Sequence, residues 1–385
     1  MPLSEAGSQR GGDRRPIRLS VLDQSPVADG SSSAQALHNT LELAELADRR
    51  GYERYWVAEH HALVSHAGSV PEVLIAAIAA RTSGIRVGSG GVLLHFHSPM
   101  KVAETFRVLD LVHPGRIDLG IGRSGGGASA ESIALRPDLA TLGLADDFDH
   151  KLAELLAFLH GRFPAAHPFG TIPLMPSGAG APPPVWLLGS SPRSAVFAAE
   201  LGLPYAFAHF ISPSPTRAAV ETYRARFRPG LVTDRPRTIV GLGVYCADTE
   251  QEARRLYASH LLVRRRLMRN DIRPVPTADD AVKELRTGPD PLAGEVSEWP
   301  HYTVGTPEQV REIILRMSTE LDVDEFVVMN MIADHGDRLR CYDLLADALE
   351  LPRRPDAATP GAGISAGAGA GVGAGVGVGV AGGPA

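Results

Sequence analysis

The alternation of strand-like and helix-like segments is the feature that most restricts how this chain can fold. Short runs of apolar or β-branched residues are each followed by a longer segment with helical periodicity. The predicted strands are 17–22, 55–58, 85–90, 116–121, 185–188, 205–208, 238–245 and 325–329. The predicted helices are 34–50, 71–81, 99–111, 147–159, 193–201, 215–227, 249–269, 307–320 and 338–351. Repeated strand–helix units imply parallel strands joined by right-handed crossovers.

Strand-helix units repeated along roughly 340 residues predict an α/β fold, a (β/α)8 TIM barrel with insertions after strand 4 and between strands 7 and 8. A doubly wound open sheet would need a glycine-rich phosphate loop directly after the first strand. The chain has Asp23-Gln24-Ser25-Pro26 there, which favours the barrel. We expect a disordered N-terminal segment (1–16), the barrel domain (17–354) and a disordered Gly/Ala/Val-rich tail (355–385). The first segment is polar, charged and contains glycine, and the tail has no large side chains to bury.

The overall composition excludes several classes of protein. A net charge of −6 gives no reason to expect a nucleic-acid partner. The two cysteines, Cys246 and Cys341, lack the spacing of a zinc site and argue against a disulfide scaffold. No apolar span of about 18 residues indicates a membrane helix, and the first residues lack the apolar core of a signal peptide. We therefore expect a soluble, cytoplasmic protein with no membrane association.

Candidate catalytic groups follow the second strand, because reactive residues of barrels gather at the carboxyl ends of the strands. Glu59, His60 and His61 come directly after the apolar run 55–58. Histidine exchanges a proton near neutral pH more readily than other side chains. A half-buried structural histidine is the plainer interpretation, but other candidates at the same barrel mouth favour a catalytic role for His60.

The ends of other strands predict a binding site for a phosphate and a flat ring. Ser190 and Ser191 precede a predicted helix, whose free N–H groups and dipole attract anions, and Arg123 follows the fourth strand. The alternative for the serines is an ordinary helix cap. Gly90-Gly91 leaves an uncovered surface against which a planar ring can lie, whereas its plainer interpretation is a simple bulge.

The histidines also raise the possibility of a metal site. His95 and His97 lie two apart, so they would share one face of a strand, and His60, His61 and His66 are near in sequence. No acidic ligand or further histidine recurs at a late strand in a convincing pattern, and the H-E-x-x-H motif is absent. We therefore expect no bound metal, with a metal-dependent hydrolase as a minor alternative.

Four segments together resemble the bacterial luciferase-like flavin monooxygenase family. They are Trp56-Val57-Ala58-Glu59-His60-His61, Val87-Gly88-Ser89-Gly90-Gly91-Val92, His113-Pro114-Gly115-Arg116-Ile117-Asp118-Leu119-Gly120-Ile121-Gly122-Arg123 and Val304-Gly305-Thr306-Pro307-Glu308-Gln309-Val310. Each segment is moderately specific, and their common order and spacing make the resemblance strong over about residues 17–351.

The resemblance implies a (β/α)8 barrel that binds reduced FMN and uses O2 to oxidise a small organic substrate. It further implies that a separate NAD(P)H-dependent flavin reductase supplies the reduced flavin, and that the protein forms a homodimer. His60 resembles the family histidine needed for chemistry near the flavin, and Glu59 and His61 are expected to support it. Gly90-Gly91 falls where the family has a non-proline cis peptide under the flavin ring.

The same resemblance places the flavin phosphate at Arg123, Ser190 and Ser191. Gly122 stands where the luciferase catalytic chain has a reactive cysteine, so bioluminescence is not predicted. Two alternatives keep the same fold: an oxidoreductase that uses the deazaflavin F420 for hydride transfer, and a non-catalytic flavin-binding protein. Substrate selection is expected in the insertions, 122–184 and about 270–302.

Overall fold

Eight parallel strands close into a barrel, which confirms the predicted (β/α)8 fold. The ten strands are β1 (Arg18–Asp23), β2 (Arg54–Val57), β3 (Arg86–Ser89), β4 (Val92–Leu93), β5 (Ile117–Gly122), β6 (Val185–Gly189), β7 (Tyr205–Ala208), β8 (Thr238–Cys246), β9 (Tyr302–Gly305) and β10 (Glu325–Met329). Neighbours pair in parallel, and β10 pairs with both β1 and β8, which closes the ring. The short β4 and β9 lie outside this ring and pair with β5 and β8.

The computed structural model describes residues 16–123, 129–138, 147–177, 180–286 and 297–355. The segment 1–16 and the tail 355–385, both predicted to be disordered, therefore lie almost entirely outside the described residues. Parts of both predicted insertions also lie outside them, including the glycine run 124–127 that follows Arg123.

Helices cover the outside of the barrel and follow the predicted segments closely. They are α1 (Ser33–Arg49), α2 (Pro71–Arg81), α3 (Pro99–Val112), α4 (Ala130–Leu135), α5 (Phe148–His160), α6 (Pro192–Glu200), α7 (Thr216–Arg226), α8 (Glu250–Leu267), α9 (Ala278–Leu285), α10 (Pro307–Leu321) and α11 (His335–Ala348). Thr306 caps α10 in a capping box with Gln309, and Pro307 occupies the first turn. Among the described residues, no helix is both long and apolar enough to cross a bilayer.

The barrel interior is filled by a small apolar cluster that includes two tryptophans. Trp56 on β2 and Trp186 on β6 are almost fully buried, and their ring centroids lie 5.6 Å apart in an edge-to-face arrangement. A larger apolar cluster lies between the strands and the helices and forms the main core. This division is typical of TIM barrels, whose interior is a packed core and not a pore.

A buried ionic layer closes the barrel at the amino ends of its strands. The Arg54 Nη1 atom lies 2.7 Å from Asp118 Oδ2, and its Nε atom lies 2.5 Å from Glu325 Oε1. All three residues are at most 2% exposed. The Trp56 indole N–H also donates to Asp118 Oδ2 at 3.2 Å. Each charge therefore has an opposite charge beside it, as buried ions require.

A second buried ion pair joins the first strand to the last helix. Asp23 Oδ1 lies 2.5 Å from Arg338 Nη2, and both residues are at most 2% exposed. The Tyr55 hydroxyl and the Ser25 backbone N–H donate to the same carboxylate, at 2.5 and 2.7 Å. Burial alone would raise the pKa of Asp23, but Arg338 and these donors hold it below its ordinary value of 3.8. This pair connects the two ends of the barrel domain.

Two elements of the second insertion were not predicted from the sequence. The segment 270–302 was interpreted as an irregular excursion, but it contains α9, and Tyr302 begins β9. His95 also differs from expectation, because it lies in a 3-10 turn (Leu94–Phe96) and not on a strand. His95 and His97 therefore do not share a strand face, and each contacts a different carboxylate.

Candidate functional site

A cavity of about 730 Å³ opens at the carboxyl ends of the barrel strands. Six predicted site residues line it: Glu59, His60, Gly90, Gly91, Arg123 and Ser190. Trp56 contributes to its lining from the barrel interior. A volume of this size is typical of cofactor and small-molecule sites. The structure thus brings together residues from four separate strands that the sequence placed at one mouth.

The peptide bond between Gly90 and Gly91 is cis, as the family resemblance implies. A Cβ atom on Gly91 would lie 2.8 Å from the backbone oxygen of Gly120 and 2.9 Å from the backbone nitrogen of Gly122. A side chain at this position would force two strands apart, so only glycine fits here without a backbone shift. Both glycines line the cavity, where they present a surface without side chains.

Glu59 is the centre of a hydrogen-bonded cluster beside the cavity. Its Oε1 atom accepts hydrogen bonds from His61 Nε2 and His97 Nε2, each at 2.8 Å. Its Oε2 atom accepts from the backbone N–H of Leu93 at 2.9 Å. Burial opposes the charge of Glu59, but the bonds from His97 and His61 hold its pKa below the ordinary value. Glu59 is therefore a fully engaged carboxylate, and His61, whose role the sequence left open, is one of its donors.

The contact between His97 and Glu59 predicts a pH-dependent contribution to stability. The hydrogen bond and the negative charge of Glu59 raise the pKa of His97 above 6.5. This contribution is complete below the unfolded-state pKa and is lost as pH rises through the folded-state value. We expect the difference in unfolding free energy between the wild type and His97→Gln to be larger at about pH 5.5 than at about pH 8.5.

Urea denaturation at the two pH values measures this difference. His38→Gln is the control, because His38 is exposed on α1. Its difference from the wild type should not change with pH. An equal effect of His97→Gln at both pH values would show that His97 does not carry charge in the folded protein.

His60 stands apart from the Glu59 cluster and contacts a different histidine. Its ring centroid lies 4.4 Å from that of His66, and its backbone N–H donates to the Gly68 carbonyl at 2.8 Å. Among the described residues, none hydrogen-bonds its buried Nδ1 atom. Burial lowers the pKa of His60 to about 4 and that of His66 to about 3. Both imidazoles are therefore neutral near pH 7, and they can donate and accept hydrogen bonds.

The predicted phosphate site lies where the main cavity meets a second cavity of about 520 Å³. Arg123 and Ser190 line both cavities, and Ser191 and Arg193 line the second. Ser191 is also the N-cap of α6, where it forms a capping box with Ser194. Ser191 therefore caps a helix, which was the alternative interpretation of the serines. Its hydroxyl oxygen accepts a hydrogen bond in that role, and its hydrogen can still be donated to another group.

The five histidines considered as metal ligands are divided among separate contacts. His61 and His97 bind Glu59, His95 Nδ1 lies 3.2 Å from Asp147 Oδ1, and the His60 ring contacts the His66 ring at an interplanar angle of 40°. In the described part of the chain, no group of three or more His, Cys, Asp or Glu residues has an arrangement that could hold a metal ion.

Comparison with known proteins identifies the family. Residues 17–325 match the family model for luciferase-like monooxygenases. The chain belongs to the luciferase-like monooxygenase family. A luciferase-like monooxygenase of Escherichia coli K12 is 37% identical over 334 residues, which cover 87% of this chain and 97% of the relative. The N-acetyl-S-alkylcysteine monooxygenase of Bacillus subtilis 168 is 35% identical over 340 residues, covering 88% and 100%.

A solved structure supports the same assignment. The crystal structure of apo-MsnO8 is 50% identical in sequence and superposes with a TM-score of 0.82. The match covers 88% of this chain and the whole of that one. This luciferase-like monooxygenase therefore shares its fold with MsnO8 over nearly the whole barrel domain.

Three cavity residues of this luciferase-like monooxygenase were not selected from the sequence. Arg193 lies two residues after Ser191 and lines the second cavity. Its positive charge, so close to the Gly-Ser-Ser pattern, is a signal from which the sequence could have predicted it as a phosphate ligand. His66 lies in the irregular segment after β2, where no periodicity indicates a direction for its side chain. His260 lies in the middle of α8, and only the path of that helix across the mouth brings it to the cavity.

Proposed function

We propose that this protein is an FMN-dependent monooxygenase that uses reduced FMN and O2 to oxidise a small organic substrate. The observation that carries the proposal is that one cavity at the barrel mouth is lined together by Gly90, Gly91, His60 and Ser190. The family assignment supports monooxygenase chemistry, and the cavity supplies residues suited to each part of a flavin.

The residues present fit a flavin mononucleotide at both of its ends. Gly90 and Gly91 would face the ring system, because they offer a surface without side chains. Arg123, Ser190 and Ser191 would hold the phosphate, with Arg193 as a further cation in the adjoining cavity. Reduced flavin, when bound, supplies the electrons that activate O2, and the apolar cavity wall limits access of water to that chemistry.

His60 would contact the reacting oxygen through its neutral imidazole. A pKa of about 4 leaves very little imidazolium near pH 7, so His60 would orient a group or accept a proton and would not act as the acid. Glu59 and His61 would support this wall, because Glu59 joins His61, His97 and the backbone of Leu93. In this arrangement the loop after β2 is fixed to the segment after β3.

Anaerobic titration with reduced FMN and, separately, with reduced F420 tests the choice of cofactor. We expect FMN to bind with a dissociation constant at least about tenfold below that of F420, a difference of about 1.4 kcal/mol. Oxygen is then admitted, and oxidised product and hydrogen peroxide are measured by mass spectrometry and a peroxidase assay. Tighter binding of F420 with no use of O2 would support the hydride-transfer alternative, and binding of FMN without any product would support a non-catalytic protein.

Two partners complete the proposed function. A separate NAD(P)H-dependent reductase would supply the reduced flavin, as the family resemblance implies. A second copy of the chain would cover α2 and α3, which pack against each other and expose several apolar side chains. On these helices Val73 and Val112 are each 64% exposed, and Val108 and Leu111 are 46% and 38% exposed. Apolar side chains exposed together in this way are typical of a protein interface.

A further inference from the structure

His66 is a second imidazole at the wall of the main cavity, beside the one proposed to contact the reacting oxygen. Its ring is half-buried and borders the cavity, and its centroid lies 4.4 Å from that of the His60 ring. Nothing in the proposed reaction uses it. An apolar side chain could fill the same place without the free-energy cost of removing two ring nitrogens from water.

Backbone hydrogen bonds fix the segment that carries His66 against the segment after β1. The Val27 N–H donates to the Ser65 carbonyl at 2.9 Å. The Ala67 N–H donates to the Ser25 carbonyl at the same distance. The chain is thus held on both sides of His66, so a ligand would lose little free energy in ordering this residue.

The Ser65 hydroxyl determines which nitrogen of the neutral His66 ring carries the proton. Ser65 Oγ lies 2.9 Å from His66 Nδ1, and Ser65 is 1% exposed. Among the described residues, this hydroxyl has no other partner. A proton on Nδ1 would leave the buried hydroxyl hydrogen without an acceptor, whereas a hydroxyl that donates to Nδ1 satisfies both groups. The proton of the ring therefore lies on Nε2.

The Nε2–H group of His66 is accessible to a ligand. In the described part of the chain this nitrogen has no hydrogen-bond partner, and it is not fully enclosed, whereas Nδ1 of His60 is. Burial lowers the pKa of His66 to about 3, so the ring is neutral near pH 7 and keeps its single donor. This donor requires an acceptor atom, and a hydrocarbon supplies none.

The charges near His66 favour a neutral acceptor over an anion. The charged side chain that acts on this ring is the carboxylate of Asp23. Arg123 and Arg264 border the cavity from the end of β5 and from α8, and neither is among the groups that act on His66. An anionic group at His66 would lose hydration without gaining a positive partner, whereas a carbonyl oxygen can accept the N–H at much lower cost.

We propose that the Nε2–H group of His66 binds a carbonyl oxygen of the substrate, beside the position where His60 would contact the reacting oxygen. Apolar side chains that border the cavity, among them Trp56, Met329 and Met331, would contact the hydrocarbon part of the same molecule. The role of His66 as a substrate-binding residue rests on the proposed monooxygenase function, since the same cavity would hold the flavin. Its binding of a carbonyl compound can be tested without any cofactor.

The test compares acetophenone and α-methylstyrene, which have nearly the same shape and differ by a carbonyl oxygen in place of a methylene group. Dissociation constants for the full-length protein without flavin are measured by ligand-observed NMR. We expect the preference for acetophenone over α-methylstyrene to fall about fivefold in His66→Leu, the usual effect of one net hydrogen bond. Comparing the two ligands within each protein removes their general hydrophobicity from the result.

Two polar variants test whether the donor must stand at Nε2. The amide N–H of glutamine can reach the position of Nε2, whereas that of asparagine lies nearer the position of Nδ1. His66→Gln should therefore keep most of the preference for acetophenone, and His66→Asn should lose it. This comparison carries the test if His66→Leu does not fold. His38→Leu, exposed on α1, is the matched histidine control and should leave both affinities unchanged.

The imidazole 15N resonances of His66 give a readout that a merely structural role would not change. They should show a protonated Nε2 and an unprotonated Nδ1, and acetophenone should shift the Nε2 resonance whereas α-methylstyrene should not. Ser65→Ala removes the group that selects this tautomer. Both tautomers should then be populated, and the preference for acetophenone should fall about twofold.

Failure of acetophenone to bind, an unchanged preference in a folded His66→Leu variant, or a proton on Nδ1 would each overturn the proposal. A flavin also has carbonyl oxygens. If His66 binds one of those instead, His66→Leu would weaken the binding of reduced FMN and leave the preference for acetophenone unchanged, which also overturns the proposal. Failure of the wild type to bind FMN, with the acetophenone result intact, would count against the proposed function alone. The two failures are therefore distinguishable.

Discussion

Replacing His60 with alanine is expected to lower oxygenated product by a factor of about 10²–10⁴, the usual contribution of a positioned proton-transfer group. The affinity for reduced FMN should stay within about twofold, because the cofactor's proposed contacts lie at Gly90–Gly91 and near Ser190. Product formed per reduced flavin is measured by mass spectrometry with an organic compound that the wild type oxidises. Hydrogen peroxide is measured in parallel, and it should increase as product falls.

The structure also indicates which function of His60 is lost. Its pKa of about 4 means that its protonation does not change between about pH 6 and pH 8. A residue that only orients a group would be partly replaced by glutamine, which retains a donor and an acceptor. A residue that accepts a proton would not be replaced by glutamine. His60→Gln therefore distinguishes the two roles that the neutral imidazole permits.

Folding must be shown to be intact before the His60 variants are interpreted. His60 packs against His66, so the circular dichroism spectrum and melting temperature of each variant are compared with those of the wild type. His150→Ala, on the exposed face of α5, is the matched surface control. Full product formation by a folded His60→Ala variant would exclude His60 from the chemistry.

Replacing Asp23 with alanine is expected to lower the free energy of unfolding by about 3–5 kcal/mol. The change leaves the Arg338 guanidinium buried without its carboxylate, and both residues are at most 2% exposed. The Tyr55 hydroxyl loses its acceptor on Asp23 as well. Chemical denaturation followed by circular dichroism gives the free energy directly.

Two comparisons show whether the loss comes from an unpaired buried charge. The double variant Asp23→Ala/Arg338→Met should recover part of the stability, because replacing both members of a buried pair by apolar groups is often nearly neutral. Asp248→Ala breaks an exposed ion pair with Arg340 and should cause no measurable change. If Asp23→Ala destabilises no more than Asp248→Ala, the buried pair does not stabilise the barrel.

Most of the barrel was predictable because its strands are buried on both faces. Such strands are short continuous apolar runs, as in the segment Tyr205–Ala208. Helices with a proline at the first turn, such as Pro71–Arg81, have clear boundaries. The strand Tyr302–Gly305 was missed because it begins inside the predicted insertion 270–302. Its identity depends on pairing with β8, a contact between distant parts of the chain.

The candidate site could be predicted where its residues are adjacent in the sequence. Glu59-His60-His61 and Gly90-Gly91 each form a continuous motif at a strand end, and the structure places both beside one cavity. The hydrogen bond from His97 to Glu59 joins residues 38 positions apart, and nothing in the local sequence indicates it. His260 has the same difficulty, because the residues around it on α8 form an arginine-rich segment that resembles a solvated helix face.

The fluorescence of the tryptophan pair inside the barrel can report whether the cavity is occupied. Trp56 lines the cavity and contacts Trp186 edge to face, whereas the third tryptophan, Trp299, packs against Arg217 and His209 instead. Light absorbed by the first two indoles can be transferred to a yellow chromophore bound in the cavity. Emission in the near ultraviolet should therefore fall as such a chromophore fills the cavity, which offers a continuous, label-free readout of occupancy.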